Sequence, residues 1–104
     1  METQDLLKYF DENLFIKELK ATTKDELLKE FVDQFVSVKY LKNSQIVLEM
    51  LHQREKLGST GIGKGVAIPH GRTTSASDIM IAFGKSDQGI DYDAIDGKAV
   101  QLVF

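Results

Sequence analysis

The chain has 104 residues, 42% apolar and 28% charged, with a net charge of −3 and no cysteine. At one domain per ~100–200 residues it is a single domain, able to bury roughly 65% of the surface its unfolded chain exposes. No apolar run reaches the ~18–20 residues of a membrane span, and the acidic N-terminus lacks the basic head of a signal peptide. Disulfides and thiolate chemistry are excluded, and the acidic balance argues against a general nucleic-acid binder. A cytoplasmic α/β domain without membrane insertion is the default expectation.

In chain order, residues 3–10 suit one or two helical turns. Leu14 to Leu19 (LFIKEL) is rich in β-prone residues and reads as a first strand. Thr23-Lys24-Asp25-Glu26 has the form of a capping box, in which hydroxyl and carboxylate reciprocally satisfy backbone donors. Leu27, Leu28, Phe31, Val32, Phe35 and Val36 follow at the spacing of an amphipathic helix. A break at Tyr40–Asn43 precedes a second helix, from about Ser44 to Lys56, capped by Asn43 or Ser44 and burying Ile46, Val47, Met50 and Leu51. The glycine segment 58–65 is expected to be irregular, because each glycine makes ordered structure entropically costly.

Val66-Ala67-Ile68 reads as a short buried strand stopped by Pro69, and Ile79 to Phe83 as another. A stretch rich in Asp and Gly leads to a last strand, Val100 to Phe104. There is no internal repeat and no low-complexity tract. The sequence stops inside that strand, and two helices cover only one face of a sheet. The expectation is a larger domain shortened on its C-terminal side.

Charge is unevenly spread. Residues 1–52 carry seven Lys against ten acidic groups, a balance of −3, and residues 73–104 carry two Lys against five Asp, again −3. Between them, Arg54, Lys56, Lys64 and Arg72 face Glu55 alone, a balance of +3. That window also holds five of the eight glycines, the only proline and His70.

Gly58-Ser-Thr-Gly-Ile-Gly-Lys-Gly65 falls one residue short of the phosphate-loop pattern G-x-x-x-x-G-K-[ST]. Gly65 stands where Ser or Thr would hold Mg²⁺, and the flanking elements run helix-then-strand rather than strand-then-helix. No nucleotide site is therefore expected. Two readings remain for the segment: a plain tight turn, or a loop whose amides approach an anion, with Ser59 and Thr60 as added donors. His70 follows a strand and Pro69 and precedes Gly71, so its ring is held on one side and open on the other. A histidine there is either a structural residue or a nucleophile whose neutral form is populated near pH 7.

The run Arg54-Glu-Lys-Leu-Gly-Ser-Thr-Gly-Ile-Gly-Lys-Gly-Val-Ala-Ile-Pro-His70-Gly71 resembles a known signature. It is the phosphohistidine motif of the EIIA domain of the fructose–mannitol class (type 2) of the bacterial phosphoenolpyruvate:sugar phosphotransferase system. Glu55, Ile62, Gly63, Val66, Ala67, Ile68, Pro69, His70 and Gly71 meet its fixed positions. Ile90 to Gly97 is similar to the same family's next loop, and the wording is nearest to the nitrogen-regulatory and fructose branches.

The resemblance implies a three-layer α/β/α fold around a mixed sheet, here lacking the family's C-terminal helices, with residues 1–104 forming one incomplete domain. It implies that His70 receives phosphate from the phosphocarrier protein HPr and that Arg54 steadies that phosphate. The output is then transfer to an EIIB partner in sugar uptake, or a regulatory signal. A second class of reading makes the chain an interaction or sensor domain of a regulator, in which phosphorylation of His70 only switches partner binding. No metal or cofactor is called for, because positioning and charge stabilisation carry most of phosphoryl transfer. Mannitol-type members have a second histidine in the C-terminal helices, a position that falls beyond Phe104. His52, on the polar side of the second helix, reads as a surface residue. Apolar sheet surface left open by the last strand is expected to favour self-association.

Overall fold

The computed structural model describes residues 10–38, 41–73 and 79–104. The elements are β1 (Phe10–Ile16), α1 (Lys24–Ser37), α2 (Ser44–Lys56), β2 (Gly61–Gly63), β3 (Val66–Ala67), β4 (Ile81–Ile90) and β5 (Val100–Val103). The turns expected over 3–10 lie outside the described residues except for Phe10, which opens β1.

Both helices lie where the apolar spacing put them, with a difference at each cap. Thr23 Oγ1 accepts from the Glu26 amide at 3.3 Å, but the Glu26 carboxylate reaches Thr22, accepting from its amide at 3.0 Å and its hydroxyl at 2.9 Å. The carboxylate arm of the box thus closes on Thr22, whose carbonyl in turn accepts from the Asp91 amide while the Lys24 amide donates to the Asp91 carbonyl. Asn43 occupies the α2 cap position in a left-handed conformation and makes no side-chain cap bond. Its carbonyl instead accepts from Ile46 and Val47. Ile46, expected in the core, is 59% exposed, so the buried stripe of α2 is narrower than its apolar residues suggest.

The five strands form one mixed sheet in the order β1-β4-β5-β3-β2. β1 is parallel to β4 and β3 to β5, while β4/β5 and β2/β3 are antiparallel. α1 packs Leu27 and Phe31 against a core that includes Leu14, Ala82, Ile90, Val100 and Val103. α2 joins through a second cluster of Val32, Leu41 and Val47. The opposite face of the sheet carries a row of aromatics. Phe15 and Phe83 meet edge-on at 5.9 Å, and Phe83 and Phe104 at 5.0 Å. Phe15 and Phe104 are 45% and 43% exposed. The last strand is interior, bonded to β3 on one side and β4 on the other, so what it leaves open is its face and not its edge.

The glycine segment corrects the expectation of irregularity. Gly61 to Gly63 is a strand paired with β3, closed by a turn in which Gly63, Lys64 and Gly65 all have positive φ (98°, 58° and 80°). Gly61 is required by crowding, since a Cβ there would lie 2.7 Å from the Ala94 Cβ. Glycine here serves close packing in a hairpin, which outweighs its intrinsic reluctance to form strands.

Candidate functional site

Pro69 ends β3, having no amide to offer a partner, and His70 projects just beyond that end. Its ring is exposed. The position is anchored from both sides: the Ile68 amide donates to the Thr60 carbonyl at 3.0 Å, and the Phe104 amide to the Ala67 carbonyl at 3.1 Å. His70 Nδ1 lies 2.8 Å from the Ile68 carbonyl oxygen. A carbonyl oxygen only accepts, so Nδ1 carries the proton and the neutral ring keeps its lone pair on Nε2. Gly71 is set close under Met50, where a Cβ would collide with the Met50 sulfur. The backbone leaving His70 is thereby drawn against α2. A cleft of about 770 Å³ opens beside it, with Val47, Met50, Ile68, Met80 and Phe104 in its walls.

Arg54, in the last turn of α2, donates from Nη1 to the Gly58 carbonyl at 2.9 Å. Among the described residues no hydrogen bond joins it to His70. What ties the two parts of the site together is a buried cluster. The Glu55 carboxylate, whose side chain is 6% exposed, accepts from the Thr60 amide at 3.1 and 3.2 Å and from Thr60 Oγ1 at 2.8 Å. Tyr92 lies 2.7 Å from the same hydroxyl. Burial pushes the Tyr92 phenol well above its ordinary range, so it stays protonated and donates. The Thr60 hydroxyl spends its own proton on Glu55 and accepts from Tyr92. Lys24 Nζ completes the cluster, 3.5 Å from Glu55 and 4.8 Å over the Tyr92 ring.

The structure turns inward several of the donors that an anion cradle in the glycine segment would use. Thr60 N is bonded to Glu55, Gly61 N to Ser59 Oγ, and Lys64 N to Asp96 at 3.0 Å. Those donors are committed inside the chain. Asp96 also accepts from the Lys98 amide, and these backbone donors hold its carboxyl below the ordinary value. Arg72 is exposed beside His70, and Lys64 is exposed at the hairpin turn. His52 pairs with Asp25 at 3.5 Å across the two helices.

Of the residues singled out from sequence, the structure joins His70 to Ile68, Thr60 and the end of α2. Sequence reasoning gave Thr60 a part only as a donor to an anion, placed Lys24 only within the capping box, passed over Tyr92, and treated Glu55 only as a fixed position of the signature. The available signal was the pairing of that acidic residue with a Tyr in the Ile90–Gly97 segment, since a buried Tyr hydroxyl needs a partner.

The exposed histidine stands just beyond an interior strand, with its Nδ1 on the Ile68 carbonyl, and the basic end of α2 is linked to that strand through Glu55 and Thr60. The chain belongs to the family of the phosphoenolpyruvate-dependent sugar phosphotransferase system, EIIA 2, matching it over residues 8–104. It is 41% identical over 86 residues to a nitrogen regulatory protein of Bradyrhizobium diazoefficiens, covering 83% of this chain and 56% of that protein. Its fold is similar to nitrogen regulatory protein IIA-Ntr from Neisseria meningitidis, with a TM-score of 0.85 and 34% identity over 95% of this chain and 67% of that one. It is also similar to the complex of the mannitol enzyme IIA with phosphorylated enzyme IIB from Escherichia coli, with a TM-score of 0.69 and 25% identity over 90% and 67%. The chain thus spans 56% to 67% of the length of these relatives. Among the described residues no helix is long and apolar enough to cross a membrane.

Proposed function

We propose that the chain is a phosphotransfer domain that carries a phosphoryl group on His70 Nε2. The observation that carries this reading is the 2.8 Å contact of Nδ1 with the Ile68 carbonyl on an exposed ring. In the step proposed, the Nε2 lone pair attacks the phosphorus of a phosphohistidine donor, the class of protein represented by HPr. The donor N–P bond breaks and its electron pair returns to the donor imidazole. No proton has to leave His70. The ring becomes an N-phosphoimidazolium whose Nδ1–H is already directed at a carbonyl oxygen, which stabilises the positive charge. Donation to an acceptor reverses these movements. Arg54 supplies planar donors and charge for the equatorial oxygens, and among the described residues its Nη1 is engaged at Gly58.

The acceptor is an EIIB-type partner in sugar uptake, a reading favoured by the likeness to the mannitol IIA–IIB complex. A regulatory output is favoured by the likeness to nitrogen regulatory proteins. The test is incubation with phosphoenolpyruvate, enzyme I and HPr, followed by mapping of the label. Acid-labile, base-stable phosphate on His70, absent in His70→Ala, is expected. Label on Ser59 or Thr60, or uptake by His70→Ala, would overturn the assignment. Passage of the label to EIIB then separates transport from regulation.

A further inference from the structure

The basic residue and the histidine of the site sit on different elements, Arg54 on α2 and His70 just beyond the β2–β3 hairpin. A series of hydrogen bonds crosses between them. Glu55 holds the Thr60 amide and hydroxyl, the Thr60 carbonyl holds the Ile68 amide, and the Ile68 carbonyl holds His70 Nδ1. Each link is 2.8–3.2 Å long. Glu55 adjoins Arg54 on the helix, so the carboxylate that starts the series also sets where the guanidinium is displayed. Lys24 keeps that carboxylate paired, and Tyr92 leaves the Thr60 hydroxyl one orientation only.

We propose that Glu55 is a positioning residue for transfer at His70, fixing the end of α2 that bears Arg54 against the hairpin that bears the histidine. The proposal rests on the reading that His70 carries the phosphoryl group. A carboxylate suits the task better than an amide because it accepts simultaneously from the Thr60 amide, the Thr60 hydroxyl and a lysine, whereas the glutamine nitrogen accepts from none of them. Misplacement of reacting groups by about 1 Å costs on the order of 10²-fold in rate, and the series joins the two elements directly.

The test begins with wild type and His70→Ala, which establish independently whether His70 is labelled at all. Phosphate uptake from phospho-HPr is then measured for Glu55→Ala, Glu55→Gln and Thr60→Val, with thermal melts alongside. For Glu55→Ala the expected result is a kcat lower by roughly 10–100-fold with KM for the donor within about twofold, since no donor contact is removed. Glu55→Gln should recover part of the loss. Glu55→Ala combined with Arg54→Ala should lose less than the product of the two single effects, because both act on the same placement. A kcat within about twofold of wild type in Glu55→Ala, whatever its melt, overturns the proposal. If Glu55→Ala does not fold, near-normal kcat in both Glu55→Gln and Thr60→Val overturns it instead. The ¹⁵N resonances of the His70 ring give a readout that needs no phosphate donor. Wild type should show the Nδ1–H form, and Thr60→Val a mixture of tautomers; an unchanged ring in Thr60→Val counts against the brace even if transfer itself fails in wild type.

Discussion

At the scale of single residues, the proposed function divides the site into a group that reacts and groups that hold it. The placement of His70 was legible from its neighbours, because Pro69 and Gly71 mark a strand end with one open side, but they left a structural role open beside a nucleophilic one, and only the signature chose between them. Arg54 was legible only through its membership of a signature, and its place in the structure, on the Gly58 carbonyl, leaves two roles to separate. As a helix terminator alone it would contribute about 0.3–1 kcal/mol. As a donor to a phosphoryl group in flight, its loss slows transfer by roughly 10²–10³-fold. Arg54→Ala is expected to show the second effect with a melt little changed, and Arg54→Lys to rescue only in part, since the ammonium keeps the charge without the planar fork. Near-normal transfer with a large drop in melting temperature would make Arg54 a structural residue. The link between Thr60 and Tyr92 was invisible for a physical reason. Their pairing spans 32 residues of sequence, and nothing local announces it.

Among the elements, the helices were read well because a 3.6-residue apolar period is a local property. Strands were read less well. β4 runs on to Ile90, seven residues beyond Phe83. Lys85, Asp87 and Gln88 conceal it, exposed positions in a strand whose alternate residues Gly84 and Ser86 are buried. The β2–β3 hairpin gives a direct prediction about nucleotides. Its amides at 60, 61 and 64 already have partners inside the chain, so calorimetric titration with ATP–Mg²⁺ should show no binding. A micromolar dissociation constant would mean that the hairpin opens.

Two of these elements also carry pH dependence. Backbone and side-chain donors at Thr22 hold the Glu26 carboxyl at the start of α1 below its ordinary 4.5, and backbone donors at Lys98 and Lys64 hold Asp96 at the hairpin turn below 3.8. A depressed folded-state value means that the contribution is complete above the ordinary value and lost as pH falls through the folded one. Melting temperature should therefore fall on acidification below about pH 4.5. The fall should be shallower in Glu26→Gln/Asp96→Asn, and an identical slope in both proteins would show that these carboxylates do not set it.

For the whole molecule, the two faces of the sheet differ in character. One is closed by α1, and the other displays Phe15, Phe83 and Phe104 as a connected row, with Ile68 also 41% exposed. Contiguous apolar surface of this kind drives association. Sedimentation of the 104-residue chain should show a concentration-dependent mass, shifted toward monomer by Phe104→Ser. A well-behaved monomer at every concentration would contradict this. That this face would be uncovered was legible from the count of helices against strands, whereas the interior position of β5 was not, because strand order depends on pairings the sequence does not display. The position of β5 has a consequence for synthesis. The sheet order places Val100–Val103 between the half that holds β1 and β4 and the half that holds β2 and β3. As the chain leaves the ribosome from its N-terminus, both halves exist before the strand that joins them. Until Val100–Val103 emerge, His70 sits on a two-strand ribbon, a unit marginally stable at best in water. A nascent chain stalled before Val100 should therefore expose the histidine segment to protease, and extension beyond Val103 should protect it.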